Sequence, residues 1–399
     1  MEPAPVKRLR DLIGRNMLFP ALRLMRTQMR LISDPVKLRT VAAQVDALGR
    51  LPRDVRTAAV VVGGAPATWI DVAESRHDHV VLYLHGGAFV AETPTFHGGL
   101  LARICREAGA RALMLGYRLA PEHPFPAALD DCVGAYRWLL AQGQAPGRIV
   151  VAGDSAGGNL TLALLLRLRD EGLPLPAGAV ALSPVTDLTF SGDSVQRNDG
   201  IDDMFSADMM EPLVDVYLAD RRLRSDPLVS PVFGDFTGLP PLLLIVGSTE
   251  LLLDDSVRVA QRWPGATLLV WHGMPHVFPG FDVLPEAREA TQRIGRFIDD
   301  RMSAAAAAPV AVQPAPVAAA SANPAPLPHM PRAASAAERL YLAVAVLAGL
   351  AWLGVVWLAA VPLLGLVNPV TWIAAPSLAL VWAGAVFLYL RSSWGKRRG

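Results

Sequence analysis

The sequence predicts an α/β architecture, a mostly parallel central sheet covered by helices on both faces. Three observations carry it. Short apolar, β-branched runs alternate with stretches of helical length from about residue 55 to residue 301. Gly153-Asp154-Ser155-Ala156-Gly157 stands between one such run and one such stretch, which puts a serine on a sharp strand-to-helix turn. The two earliest runs, joined by Gly63-Gly64, read as a hairpin and so as the antiparallel edge of that sheet.

Taken in order, residues 1–52 read as basic helices. Arg8, Arg15, Arg23, Arg26 and Arg30 interleave with Leu12, Met17, Leu22, Met25 and Met29. Arginines interrupt every apolar run, so this is not a signal peptide. Helices packed on a globular domain are preferred over a helix lying on an anionic membrane surface. The predicted strands are 55–62, 67–72, 80–84, 111–116, 148–152, 178–182, 241–246 and 266–271, with helices over 127–141, 158–169 and 286–301. The globular domain is therefore expected over residues 53–302. Residues 303–337 hold seven prolines and sixteen alanines in 35 residues, a linker that cannot bury a core. Residues 338–399 form a last unit. Its stretch 340–390 contains no charged residue, and 340–361 and 370–390 each suit one bilayer span, broken by Pro362, Gly365, Asn368 and Pro369.

Net charge is +1, which gives no electrostatic case for a nucleic-acid partner. The two cysteines, Cys105 and Cys132, fit neither a disulfide framework nor a metal site, and no histidine pair has zinc spacing. Both read as small buried residues.

A serine hydroxyl needs a base, and the base needs an orienting acid. After a G-x-S-x-G elbow both follow later in the chain. The acid should follow the strand 241–246, where Glu250 is nearest the strand end and Asp254 and Asp255 are the alternatives. Among the later histidines, His276 lies in a loop past the strand 266–271 and is preferred over His272, at the strand end, and His329, in the linker. The oxyanion needs preorganised amides. Gly86 and Gly87 follow the strand 80–84, and Ala156 follows the serine. His85 reads as a brace for that glycine loop. The Tyr117–Ala128 block, despite Glu122 and His123, reads as structural, and Asp226 and Ser230 as local shapers of the acid loop.

His85-Gly86-Gly87-Ala88-Phe89, Tyr117 to Ala128, Gly153 to Asn159, Asp226-Pro227-Leu228-Val229-Ser230-Pro231 and Gly273 to Phe278 together resemble the hormone-sensitive-lipase-like esterases, over about residues 40 to 300. The resemblance implies an α/β-hydrolase fold with a helical cap, built from residues 1–52 and an insertion near 187–220. It also implies hydrolysis of short- to medium-chain carboxylic esters without a cofactor. Ala88 stands where many members have a third glycine. Glu250-Leu251-Leu252 replaces an aspartate followed by Pro-Leu. Ser155 would attack the ester carbonyl, His276 take its proton and Glu250 orient the imidazole, with Gly86, Gly87 and Ala156 at the oxyanion. Water would then release the acyl group.

The expected substrate is a small-molecule or lipid ester, and the expected address is a membrane. Arg332 and Arg339 before the first span, and Arg391, Lys396, Arg397 and Arg398 after the second, put both flanks and the catalytic domain on the cytoplasmic side. A lipase acting on bilayer lipids, and an amidase, lactonase or deacetylase on the same three residues, are alternatives. A non-catalytic ligand-binding scaffold would be expected to have lost one of the three. The oligomeric state is left open.

Overall fold

The computed structural model describes residues 4–30 and 34–307. The proposed spans 340–361 and 370–390 and nearly all of the linker lie outside the described residues. Among the described residues, no helix is long and apolar enough to cross a membrane.

Two helices come first, α1 (Ala4–Met29) and α2 (Pro35–Asp46). The Asp34 carboxylate accepts the Val36 N–H at 2.9 Å and so caps α2. The predicted hairpin follows as β1 (Arg56–Val62) and β2 (Ala65–Asp71). Gly63 and Gly64 turn it at φ 57° and 93°, the left-handed backbone that a two-residue hairpin turn demands. The order continues β3 (Arg76–Leu84), α3 (Pro94–Ala108), β4 (Ala110–Leu115), α4 (Ala127–Ala141), β5 (Ile149–Asp154), α5 (Ala156–Asp170) and β6 (Gly178–Leu182). Then come α6 (Ser194–Arg197), α7 (Met210–Tyr217), β7 (Leu242–Gly247), α8 (Leu253–Arg262), β8 (Ala266–Trp271) and α9 (Pro285–Ala307).

The eight strands lie in the order β1-β2-β4-β3-β5-β6-β7-β8. Pairing is antiparallel where β2 meets β1 and β4, and parallel from β4 onward. Side chains alternate across the sheet, so Val80, Leu82 and Leu84 pack with α4 and α5 while Val81 and Tyr83 pack with α3 and α9. On α9, Ala287, Ala290, Ile294, Ile298 and Met302 are buried at helical spacing.

Several elements differ from the sequence reading. β3 begins at Arg76 rather than Val80, because Arg76 pairs with Ala110 across an irregularity in the ladder. α9 runs five residues into the expected linker, where its alanines extend the helix. The reading placed no helix where α3 stands. Its sequence carries His97-Gly98-Gly99, weak helix formers. Contacts from elsewhere hold its ends: the Asp46 carboxylate accepts the Thr95 and Phe96 N–H groups, each at 2.8 Å, and Gly109 closes it in the left-handed region.

Parallel pairing brings the strand ends that matter side by side. Leu84 of β3 is in register with Gly153 of β5, and Asp154 with Leu182 of β6. Loops leaving β3, β5, β7 and β8 therefore meet at one edge of the sheet, where ligands of such sheets collect.

Candidate active site

Ser155 sits between β5 and α5 with φ 53° and ψ −118°, a backbone state that costs a non-glycine residue about 1–3 kcal/mol. The turn is tight enough to exclude side chains at both flanking glycines. A Cβ on Gly157 would lie 1.9 Å from the Leu84 carbonyl oxygen, and one on Gly153 would lie 2.3 Å from that of Gly157.

Glu250 is fully buried just past β7. Its Oε2 accepts the His276 Nδ1–H at 2.8 Å, and its Oε1 accepts the Ser183 hydroxyl at 2.8 Å and the Gly247 N–H. Burial by itself would lower His276, but the hydrogen bond and charge of Glu250 outweigh it and hold the imidazole above its ordinary value. His276 Nε2 is buried and has no hydrogen-bond partner among the described residues. His276 and Ser155 line the same cavity of about 320 Å³. Leaving a buried donor or acceptor unpaired costs about 1–3 kcal/mol, so this nitrogen is poised for a partner from a bound molecule or the serine. His272 is exposed at the end of β8.

The two alternative acids do other work. Asp254 accepts the Ser194 N–H at 2.8 Å and pairs with Arg197 at 3.0 Å, both on α6. Asp255 accepts the backbone N–H groups of Thr186 and Asp187, and burial raises its carboxyl to about 7. Asp226 and Ser230 do not shape the acid loop as expected. Asp226 accepts the Leu228 N–H at 2.8 Å in its own turn, and Ser230 accepts that of Leu188 at 2.8 Å.

The acid loop is held instead by groups the sequence reading passed over. Asp202 accepts the Leu251 N–H at 2.9 Å, Asn198 donates to the Glu250 carbonyl at 2.7 Å, and Ser194 donates to that of Leu251 at 2.6 Å. Ser183 also accepts the Val277 N–H at 3.0 Å, so one hydroxyl ties the acid to the residue after the histidine. Arg23 of α1 reaches Asp203 at 2.5 Å, Arg26 reaches the Asp202 carbonyl, and Arg30 reaches Asp208 at 2.6 Å. Arg23 and Arg26 of α1 and Arg30 just past its end thus fasten the segment that supports the acid. Phe205 in that segment stands edge-on to His276, with ring centres 4.9 Å apart.

A second buried histidine–carboxylate pair lies beneath the glycine loop. Asp154 accepts from Tyr83 Oη at 2.8 Å, from the Gly86 N–H at 2.9 Å and from His97 Nε2 at 3.1 Å. His97 Nδ1 donates to the Thr93 carbonyl at 2.9 Å. Burial would raise Asp154 and lower His97, but their mutual attraction and hydrogen bonds reverse both and favour the charged form of each. His85 donates from Nδ1 to the Gly86 carbonyl at 2.7 Å and stacks on Tyr117. Burial, reinforced by His97, pushes His85 down to about 4, so it is neutral.

One expected oxyanion donor needs correction. All three of Gly86, Gly87 and Ala88 line the cavity, but Gly86 is buried and its N–H already donates to Asp154. Chain order places a glycine near the serine but does not say which way its amide points. The Gly87 and Ala88 N–H groups make no hydrogen bond among the described residues. Ala156 opens α5, so its N–H has no carbonyl one helical turn earlier.

Outside this site the expected bystanders behave as such. Glu122 pairs with Arg39 of α2 at 2.7 Å. Cys105 and Cys132 are buried and free, and burial pushes the Cys105 thiol up to about 12.

A family model described as the alpha/beta hydrolase fold matches residues 81–280. An acetyl-hydrolase of Streptomyces hygroscopicus is 43% identical over 256 residues, 63% of this chain and 84% of that one. A carboxylesterase/phospholipase of Mycobacterium tuberculosis is 39% identical over 243 residues, 58% of this chain and 64% of that one. The crystal structure of an esterase from the bacterial hormone-sensitive lipase family superimposes with a TM-score of 0.68 at 39% identity, covering 76% of this chain and all of that one.

Proposed function

We propose, from the premise that this chain belongs to the hormone-sensitive-lipase-like esterases of the α/β-hydrolase fold and is a serine hydrolase of carboxylic esters, that it cleaves short- to medium-chain esters through an acyl-enzyme on Ser155. The observation that carries the mechanism is the His276–Glu250 pair, whose second imidazole nitrogen has no partner among the described residues and whose ring faces the cavity on which Ser155 opens.

Ser155 Oγ adds to the ester carbonyl while His276 Nε2 takes its proton. Glu250, its other oxygen fixed by Ser183 and Gly247, keeps the proton on Nδ1 and stabilises the imidazolium. The negative oxygen is met by the amides of Gly87, Ala88 and Ala156. Gly86 donates to Asp154 and so stiffens the loop rather than meeting the oxyanion. The carbonyl carbon's bond to the alcohol oxygen then breaks, and that oxygen leaves with the proton from Nε2. Water repeats the sequence to release the acid. Residues 1–52 and about 187–220 act as a cap, consistent with the cavity lining that Met25, Met29, Leu38, Met204, Met209 and Leu213 provide. A fluorophosphonate probe should label the chain at Ser155. Labelling that persists in Ser155→Ala would remove the assignment.

The chain is further proposed to be tethered by a hairpin of spans 340–361 and 370–390, with the catalytic domain on the cytoplasmic face of the cell membrane. The reading is supported by the absence of any charge over 340–390 and by the cationic flanks on both sides. A tether would raise the local concentration of membrane-borne esters and so favours lipid esters as a second substrate class. With Cys105 and Cys132 replaced by serine, a cysteine at Asn368 should react with an impermeant maleimide before lysis and one at Ser393 only after it. The opposite pattern would reverse the orientation, and a silent Asn368 would replace crossing spans with a re-entrant hairpin.

A further inference from the structure

We propose that two cavities beside Ser155 divide the ester unequally, the smaller taking the acyl group and the larger the alcohol, so that the enzyme selects short-acyl esters of long, apolar alcohols. The inference rests on the ester-hydrolase reading above and adds the side of the ester on which bulk is accepted.

Both cavities reach Ser155. One has a volume of about 320 Å³ and the other about 40 Å³. Ala88, Phe205 and Leu213 line both, so they mark the junction, with the Phe205 ring standing against His276. His276 lines only the larger cavity.

The chemistry turns that asymmetry into a direction. When the tetrahedral intermediate collapses, the bond from the carbonyl carbon to the alcohol oxygen breaks. The departing oxygen takes the proton that His276 Nε2 received from Ser155, so it must lie within hydrogen-bond reach of that ring. The alcohol chain therefore continues into the cavity that His276 lines. The acyl chain leaves the same carbon on the other side and is directed to the cavity that His276 does not line.

Size then sets the preference. At about 10–15 Å³ per water-sized position, the small cavity holds about three heavy atoms and the large one more than about twenty. Met210 and Leu252, both buried, and Phe190 close the small cavity. Met25, Met29, Leu38 and Val216 give the large one an apolar wall. Arg30 and Asp208 also line the large cavity but pair with each other at 2.6 Å, so they offer no unpaired charge to a substrate.

Hexyl acetate and methyl heptanoate test this directly. They are isomers that differ in which side of the ester carries the chain. The full-length protein is assayed for acid release, with phenyl acetate as the reference ester. Hexyl acetate should show a kcat/KM at least about tenfold above methyl heptanoate. Met210→Ala should move the ratio toward methyl heptanoate by opening the small cavity. Met29→Trp should depress hexyl acetate more than methyl acetate by filling the large one. If phenyl acetate is cleaved but methyl heptanoate equals or exceeds hexyl acetate, the division of the cavities is wrong while the esterase stands. If both variants leave the ratio unmoved, the cavity assignment fails in the same way. No cleavage of phenyl acetate would remove the esterase reading and this inference together.

Discussion

Two buried histidine–carboxylate pairs border the cavity on which Ser155 opens, and they differ in one nitrogen. In His276–Glu250 the imidazole donates from Nδ1 and leaves Nε2 at the cavity without a partner among the described residues. In His97–Asp154 both nitrogens are engaged, Nε2 with Asp154 and Nδ1 with the Thr93 carbonyl. Both imidazoles are held above their ordinary value by their carboxylates. The similar electrostatics therefore do not distinguish them. What distinguishes them is vacancy: a ring with an unused nitrogen can pass a proton, and a ring with none can only hold something still. The thing His97 holds is Asp154, which holds the Gly86 amide and so the loop carrying Gly87 and Ala88.

The largest expected effect removes the serine on the cavity that both pairs border. Ser155→Ala should lower kcat by about 10⁴–10⁶-fold and abolish fluorophosphonate labelling. Glu250→Gln should come next, at about 10³–10⁴-fold, because an amide no longer fixes the tautomer or stabilises the imidazolium. His97→Gln should cost about 10–100-fold, with kcat falling more than KM rises, since the oxyanion loop loosens while the cavity stays. A loss equal to that of Glu250→Gln would erase the distinction between the pairs. Asp254→Asn should change kcat by less than about twofold, because its contacts are to α6 rather than to the histidine. Each is read from steady-state kinetics on phenyl acetate.

The two pairs also differ in how far they could be read from sequence. His276 and Glu250 follow strands, and a loop past a strand end is where such groups project, so chain order and position together favour them over Asp254, Asp255 and His272. His97 lies in α3, a helix whose own residues favour it weakly and whose start is capped from α2. Its partner Asp154 is the variable position of the elbow motif. A carboxylate ending an apolar run implies a buried cationic partner, since burying it unpaired is prohibitive. The Gly86 assignment failed because spacing carries no amide direction. Ser183, Asn198 and Asp202 act through contacts across the fold, between segments far apart in the chain. The strands, by contrast, were legible because a fully buried parallel sheet writes itself as continuous apolar runs, as in β6 and β7.

The central claim is that only His276–Glu250 handles the proton, and the pH dependence of fluorophosphonate inactivation tests it most directly. Inactivation requires neutral His276, so its rate rises with pH through the His276 pKa. Because Glu250 raises that pKa, Glu250→Gln should move the rise to lower pH as well as slow the reaction. His97→Gln should lower the plateau and leave the rise where the unaltered protein has it. A rise that moves with His97→Gln and stays fixed with Glu250→Gln would contradict the account.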